Sequence, residues 1–177
     1  GGGGAVLYAS GFGEVGEKGI KRNQRLLEAA DGMPVIGPNC YGFINSLDRV
    51  ALWPDVHGCE VVSSGVAIIT QSGNIGLNIT MQSIGLPIAY MFTLGNQTNT
   101  NIADIIHAML DDNRVSAIGL HIEGISDIKS FDIAAQRAIN KKIPIVAIKS
   151  GRTDASAKIA LSHTSSMTGS DQLFSVF

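Results

Sequence analysis

The sequence contains one histidine in a setting suited to phosphoryl chemistry. His163 lies in a polar loop, Ser162-His163-Thr164-Ser165-Ser166, which follows a predicted strand ending at Lys149. An imidazole can act as a nucleophile, and it titrates near neutral pH, so it gains or loses a proton at little cost. The small hydroxyl residues around it leave room for an anionic group. The simpler interpretation is a surface histidine in an ordinary Ser/Thr loop.

A second candidate feature lies upstream, where Gln71-Ser72-Gly73-Asn74 separates a strand pattern from a helix pattern. A helix that begins in this way presents unpaired backbone N–H groups and the positive end of its dipole to a phosphate. Gly73 has no side chain, so an anion can approach the backbone closely. Together with His163 this run predicts a phosphohistidine relay. The alternative is a strand-to-helix turn that only reverses the chain.

Composition excludes several classes of protein. The chain has 177 residues, which suffices for one large or two small domains. Its net charge is −2 and it has no run of five like charges, which argues against a nucleic-acid-binding arm or a polybasic membrane patch. The apolar runs are too short to span a bilayer, and the N-terminus has no secretory signal pattern. We therefore expect neither a nucleic-acid partner nor a membrane partner.

The cysteines also limit the possibilities. Cys40 and Cys59 are the two cysteines of the chain, too few for a disulfide scaffold, and they fit the reducing cytoplasm. His57 and Cys59 have the spacing of half a metal site, but no second pair accompanies them. We therefore expect no metal bound by this chain. Cys40 is predicted to be a small buried packing residue rather than a nucleophile.

The elements that position these residues follow from the pattern of hydrophobicity. Short β-rich runs alternate with helical periodicity, which is typical of a parallel α/β sheet. The second part of the chain fits a doubly wound flavodoxin-like sheet, in which ligands bind beyond the carboxyl ends of the strands. The polar residues at the carboxyl ends of the strands are therefore predicted to lie along one rim of the sheet and to form a functional site there. The predicted strands are 66–70, 88–94, 116–122 and 145–149, and the predicted helices are 74–84, 102–110, 128–140 and 170–177.

The first part of the chain has fewer elements. The pattern predicts strands at 5–9 and 34–36 around a helix at 19–30, then a tight loop at 37–42. Residues 43–64 read as a connector with at most one edge hairpin. Two strands do not make an independently stable sheet. We therefore expect that the chain begins inside a larger domain, or that another chain covers the edge.

Seven short segments, in the same order along the chain, resemble the NDP-forming acyl-CoA synthetases, relatives of the α subunit of succinyl-CoA synthetase. The resemblance implies that residues 1–62 are the C-terminal part of a CoA-binding Rossmann-like domain plus a connector. It implies that residues 63–177 are a flavodoxin-like ligase domain. The segments are Ser10-Gly11-Phe12-Gly13-Glu14, Gly37-Pro38-Asn39-Cys40-Tyr41-Gly42, Gln71-Ser72-Gly73, Leu94-Gly95-Asn96, Ile122-Glu123-Gly124, Lys149-Ser150-Gly151-Arg152 and Ser162-His163-Thr164.

The activity implied by this resemblance is that of an acid–thiol ligase. In that family an acyl-CoA and phosphate give an acyl phosphate, whose phosphoryl group passes to a histidine and then to a nucleoside diphosphate, reversibly. The implied ligands are CoA or acyl-CoA, phosphate, and ADP or ATP with Mg²⁺. The nucleotide and Mg²⁺ would be held by a partner ATP-grasp module or β subunit in a homo- or hetero-oligomer. Without that partner the chain would be an incomplete synthetase.

The resemblance also implies roles for individual residues. His163 matches the phosphorylated histidine, and Glu123 matches the acidic residue that orients it. The run Gln71-Ser72-Gly73-Asn74 matches the turn that holds the phosphoryl oxygens. The loop Gly37-Pro38-Asn39-Cys40 matches the segment beside the CoA thiol arm. His121, two residues before Glu123, is predicted to be a satisfied core histidine, with a supporting role beside Glu123 as the alternative.

Two other functions remain open. One is a non-catalytic module that senses CoA or acyl-CoA, as in relatives that have lost the histidine; the presence of His163 favours the ligase. The other is a different flavodoxin-like protein that binds a flavin or is phosphorylated as a response regulator. The strand end at Thr70-Gln71-Ser72-Gly73 carries no acidic group, which argues against the response regulator. Glu123 could also serve only to cap a turn at its strand end.

Overall fold

The structure is a computed structural model that describes residues 3–150. Its main feature is a six-stranded sheet with the order β4 (Val50–Leu52), β3 (Gly42–Asn45), β6 (Ile88–Thr93), β5 (Gly65–Thr70), β7 (Val115–Ile122) and β8 (Ile145–Lys149). Four of these strands are parallel: β5, β6, β7 and β8. Their order, second-first-third-fourth, is that of the flavodoxin-like sheets, which confirms the predicted fold class. His163 and the predicted helix at 170–177 lie outside the described residues.

Three helices connect these parallel strands. They are α2 (Gly73–Thr80), α3 (Ile102–Met109) and α4 (Ile128–Lys141). Helix α2 ends before the predicted residue 84, because the Thr80 hydroxyl bonds back to the Leu77 carbonyl at 2.7 Å and Gly85 turns the chain at φ 74°. The largest buried cluster lies around β5, β6, β7, α3 and α4. Every residue of β6 is buried, as expected for a strand covered on both faces.

The connector contains the predicted hairpin, and this hairpin enlarges the sheet. Strand β3 (Gly42–Asn45) pairs antiparallel with β4 (Val50–Leu52) on one side and with β6 on the other. Its turn is closed by the Asn45 side chain, whose Oδ1 accepts from the backbone N–H groups of Leu47 and Asp48 at 3.1 Å each. Residues 42–52 therefore share a sheet with the second part of the chain. The boundary at residue 62 stays a prediction.

The first part of the chain forms a small second sheet. Strand β1 (Ala5–Val6) pairs parallel with β2 (Val35–Ile36), and α1 (Glu17–Ala30) lies between them in sequence. Strand β1 is shorter than predicted because Gly37, at φ 102°, turns the chain away after Ile36. The loop after β6 holds this sheet: the Asn99 amide accepts from Val35 N at 2.8 Å and donates to Met33 O at 2.9 Å.

Candidate functional site

The carboxyl ends of β5 and β7 meet where the strand order of the sheet reverses. Ligands of open α/β sheets bind at such a point, because the loops diverge there and leave a crevice. Thr70, the last residue of β5, is paired with His121 of β7. The predicted residue Gln71 directly follows Thr70, and Glu123 lies two residues after His121, so the structure brings these two residues together on the rim that the sequence predicts.

Gln71 braces the two strand ends. Its side chain is 2% exposed, and its Oε1 accepts from the backbone N–H of Gly124 at 2.9 Å and from that of Glu123. Its Nε2 donates to the Gly124 carbonyl, and its backbone N–H donates to His121 O at 3.3 Å. These bonds use the backbone N–H of Gln71 and one of the two Nε2 protons. The phosphate-binding role of Gln71 stays a prediction. In the structure, the Gln71 side chain fixes the backbone of Glu123.

Helix α2 begins with two backbone N–H groups that make no hydrogen bond within the part of the chain that the structure describes. Ser72 is the N-cap: its Oγ accepts from Ile75 N at 3.4 Å, and its own N–H donates to Thr70 Oγ1 at 3.0 Å. Among residues 3–150, none accepts a hydrogen bond from the N–H of Gly73 or Asn74. We call this pair the α2 amide site. Because α2 has no Lys or Arg, the backbone alone supplies its positive potential.

Gly73 is required by an aromatic neighbour. A Cβ at this position would lie 2.7 Å from Cδ1 of Tyr41, so the ring of Tyr41 rests on the first turn of α2. Tyr41 in turn meets Trp53 edge-on, with ring centroids 5.4 Å apart. Its backbone N–H donates to Thr93 Oγ1 at 2.7 Å. The loop that resembles a CoA-binding segment therefore runs directly to the α2 amide site through Tyr41.

We predict that Gly73→Ala destabilises the chain by about 1–3 kcal/mol, because the added methyl group overpacks the Tyr41 ring. Tyr41→Leu in the same chain should restore part of this loss, which gives a coupling energy of about 1 kcal/mol or more in a double-mutant cycle. Urea unfolding of the four proteins measures this coupling. Asn78→Ala, on the exposed side of α2, is the control and should change stability by less than about 0.5 kcal/mol. Strict additivity of the two substitutions would contradict the contact.

Glu123 presents a buried oxygen to the same rim. Its Oε2 is inaccessible to solvent and has no hydrogen-bond partner among the described residues. A buried acceptor that lacks a donor costs about 1–3 kcal/mol, so such groups in native proteins call for an explanation. A donor such as an imidazole N–H would remove this cost. The sequence identified Glu123, but the unpaired state of its oxygen is visible only in the structure.

His121 is a satisfied core histidine, as predicted. It is 9% exposed, and its Nδ1 lies 3.1 Å from Thr70 Oγ1 while its Nε2 lies 3.1 Å from Ser150 Oγ. Burial lowers the pKa of His121, and the nearby charge of Glu123 raises it by a smaller amount. The imidazole is therefore neutral near pH 7. No pattern in the sequence indicates that His121 connects three strand ends.

The predicted CoA segment is a tightly packed loop. Gly37 is at φ 102°, and a Cβ there would lie 2.5 Å from the Leu7 carbonyl oxygen. The Pro38 carbonyl accepts from Asn96 N at 2.9 Å, and the Asn39 side chain donates to Asn96 Oδ1 at 3.4 Å. The loop after β6 therefore holds the segment in place. Its CoA-binding role stays a prediction.

Cys40 is a packing residue. It is 4% exposed, and its Sγ lies 3.6 Å from Leu7 O and 3.7 Å from Ile36 O. Burial raises the pKa of its thiol to about 11, so it is a thiol and not a thiolate at neutral pH. The structure therefore agrees with the prediction that Cys40 is not a nucleophile.

Glu14 and Asn96 form a junction that sequence reasoning missed. The Asn96 amide donates to Glu14 Oε2, while Glu14 Oε1 accepts from the backbone N–H groups of Gly11 and Phe12. Burial alone would raise the pKa of Glu14, but these hydrogen bonds outweigh it and lower the pKa overall. No local pattern connects residues so far apart in sequence. Their segments were identified only by their resemblance to the family.

Two further observations concern the described residues as a whole. Between residues 3 and 150, no group of three or more His, Cys, Asp or Glu side chains is placed to hold a metal ion. None of the helices described is long and apolar enough to cross a bilayer.

The comparison with family models agrees with this geometry. The model described as "Succinyl-CoA ligase like flavodoxin domain" matches residues 63–177. The chain belongs to this family. The match covers β5 to β8, and therefore the α2 amide site and Glu123, together with the segment that contains His163.

Proteins similar to this succinyl-CoA ligase-like chain include subunits and longer single chains. The α subunit of ADP-forming acetate–CoA ligase II from Pyrococcus furiosus is 35% identical over 176 residues, which cover 97% of this chain and 37% of that subunit. The ADP-forming acetate–CoA ligase of Methanocaldococcus jannaschii is 32% identical over 175 residues, covering 97% of this chain and 24% of that protein. The chain thus spans about a third or less of these relatives.

A solved structure shares the fold of the succinyl-CoA ligase-like chain. The dinucleotide-forming acetyl-coenzyme A synthetase 1 of Candidatus Korarchaeum cryptofilum, in complex with phosphate and ADP, superposes with a TM-score of 0.82 at 30% sequence identity. The match covers 98% of this chain and 38% of that one. The likeness therefore extends over the small sheet of the first part as well as the flavodoxin-like sheet.

Proposed function

We propose that the chain is the CoA- and phosphate-handling part of an ADP-forming acyl-CoA synthetase. It would interconvert acyl-CoA, ADP and phosphate with a carboxylic acid, CoA and ATP, through an acyl phosphate and a phosphohistidine at His163. The observation that carries the proposal is the buried Oε2 of Glu123, which has no hydrogen-bond partner among residues 3–150. It lies on the same rim as the two N–H groups of the α2 amide site. The names of the similar proteins support the same reaction class.

The α2 amide site would hold the phosphoryl oxygens. Backbone N–H groups of Gly73 and Asn74 donate hydrogen bonds and carry the positive end of the helix dipole without a full positive charge. An anion held in this way is stabilised but can still dissociate. The proposed reaction requires this, because the phosphoryl group is passed on from one acceptor to the next. Ser72 supports the site as the cap that fixes the first turn, and Gln71 supports it by joining β5 to the Glu123 backbone.

Glu123 would orient the nucleophile. One nitrogen of His163 forms the bond to phosphorus as the bond between phosphorus and the acyl oxygen breaks, and the carboxylic acid leaves as its carboxylate. The other nitrogen keeps its proton and would donate a hydrogen bond to Glu123 Oε2, which would satisfy that buried oxygen and favour the cationic ring formed in the transfer. Phosphoryl transfer depends mainly on positioning and on charge stabilisation of this kind.

The remaining ligands would bind elsewhere. CoA or acyl-CoA would lie along the Gly37-Pro38-Asn39-Cys40 loop, with Cys40 as packing and not as a reactive group. The nucleotide and its Mg²⁺ would belong to an ATP-grasp module or β subunit, in keeping with the α-subunit designation of one relative and the greater length of another. The free thiols of Cys40 and Cys59 fit a cytoplasmic oligomer.

A phosphate titration of the complete chain tests the proposal. Phosphate should shift the backbone amide resonances of Gly73 and Asn74 in a saturable way, while that of Asn78, one turn further along α2, stays unchanged. Potassium chloride at the same ionic strength is the control for non-specific screening. Movement of all surface amides together, or none at Gly73 and Asn74 at saturating phosphate, would rule out the α2 amide site and leave a CoA-sensing module in its place.

A further inference from the structure

A continuous set of hydrogen bonds crosses the carboxyl ends of three strands. At β5, Thr70 Oγ1 contacts both backbone groups of Ser72, the N–H at 3.0 Å and the carbonyl oxygen at 3.3 Å. The same Oγ1 lies 3.1 Å from Nδ1 of His121 on β7. On the other side of the ring, Nε2 lies 3.1 Å from Oγ of Ser150, which directly follows β8. We call these four residues the hydroxyl–imidazole relay.

The direction of each bond follows from counting protons. A hydroxyl has one proton and two lone pairs. If all three contacts of Thr70 Oγ1 are hydrogen bonds, the Ser72 carbonyl, which also accepts from Gly76 N at 3.1 Å, takes the Thr70 proton. The Ser72 N–H can only donate, so it takes one lone pair. The second lone pair of Thr70 is left for His121, whose Nδ1 must therefore be the donor. In a neutral ring Nε2 is then the acceptor, and the Ser150 hydroxyl donates to it.

The surroundings favour the neutral ring that this count requires. The Thr70 and Ser150 hydroxyls face the two ring nitrogens, and Glu123 is the charged group that acts on His121. Burial lowers the pKa of His121 and outweighs the carboxylate. A second ring proton would sit on Nε2, where it would point at the hydroxyl proton that Ser150 donates and so break that hydrogen bond. The relay therefore has one arrangement in which every donor meets an acceptor.

We infer that His121 is a positioning residue: as a neutral imidazole protonated on Nδ1, it orients the Thr70 hydroxyl and so fixes the Ser72 cap of α2. Its Nε2 joins this cap to Ser150, after which the chain continues toward His163. The expected effect of His121 on phosphate binding at the α2 amide site rests on the proposed function. The bonds themselves do not depend on that function.

The protonation of the ring can be read directly. Nitrogen-15 NMR of the His121 imidazole in the complete chain should show a protonated Nδ1 and an unprotonated Nε2 at neutral pH. The opposite tautomer would reverse the bond to Thr70 and overturn the inference. A doubly protonated ring at neutral pH would overturn it as well. This measurement requires neither the partner module nor any ligand.

Two substitutions separate the two arms of the relay. The amide of Asn reaches the place of Nδ1, whereas the amide of Gln reaches the place of Nε2. His121→Asn should therefore keep the Thr70 bond and change the dissociation constant of inorganic phosphate by less than about threefold, whereas His121→Gln should weaken binding about tenfold. Equal effects of both would overturn the positioning role. Failure of the unaltered chain to bind phosphate would instead overturn the proposed function, and the tautomer would still decide the relay.

Discussion

Replacing His163 with alanine is expected to abolish phosphorylation of the chain by labelled ATP in the presence of its nucleotide-binding partner. The reason is that the proposed function makes the His163 imidazole the nucleophile that receives the phosphoryl group, and a phosphohistidine in the Ser162-His163-Thr164 segment requires that residue. In the unaltered chain the label should be labile in acid and stable in base. Autoradiography after acid and base treatment measures this difference.

The matched control is His107→Ala. His107 lies on α3, where its Nδ1 is 3.2 Å from Nη1 of Arg137, and it is remote in sequence from every candidate site residue. Labelling should persist in this variant. An acid-stable label that remains in His163→Ala would assign the modification to a serine or threonine, and the phosphohistidine relay would be wrong.

Glu123→Gln is expected to slow phosphoryl transfer by roughly 10²–10⁴-fold, the range found when a group that acts on a proton in the transition state is lost. The amide keeps the size of the side chain but removes the negative charge that stabilises a cationic His163 ring. CoA affinity should be unchanged, because the predicted CoA segment lies on a different loop. Single-turnover transfer from acyl phosphate to the chain, together with CoA binding by calorimetry, separates the two effects.

Glu14→Gln provides a carboxylate control in the other part of the chain. Glu14 is fully engaged with Gly11, Phe12 and Asn96, and Asn96 contacts the Asn39 side chain of the predicted CoA segment. This variant should alter CoA affinity more than the transfer rate. If Glu123→Gln lost CoA affinity and kept its transfer rate, the role assigned to Glu123 would be wrong.

The four parallel strands and the helices between them could be predicted because each strand ends in a polar turn and each helix has a clear apolar periodicity. Glu123 and Gln71 could be placed on one rim for the same reason, since parallel strands carry their carboxyl ends to one edge. Local pattern also sufficed for the hairpin at 42–52, whose turn is closed by Asn45.

The side-chain contacts of the site residues could not be predicted from the sequence. Gly73 looked like a residue for close approach by an anion, whereas the structure shows that its missing side chain makes room for Tyr41. Gln71 is predicted to bind phosphate, and the structure adds bonds from its side chain to the backbone of Glu123 and Gly124 that no sequence pattern indicates. Such contacts join residues far apart in sequence, so no spacing or periodicity records them.

The antiparallel pairing of β3 with β6 has a consequence for how the chain could be divided. Strand β6 is interior only because the hairpin covers its outer edge along Gly42–Asn45. A fragment cut at residue 63, where the family match begins, would lose β3 and β4 and would leave a row of backbone N–H and C=O groups on β6 open to other chains, which is a known route to aggregation. We therefore expect that the smallest fragment that stays monomeric in solution starts before residue 42. The boundary of the family match, at residue 63, and the boundary of the independently folding unit are then different.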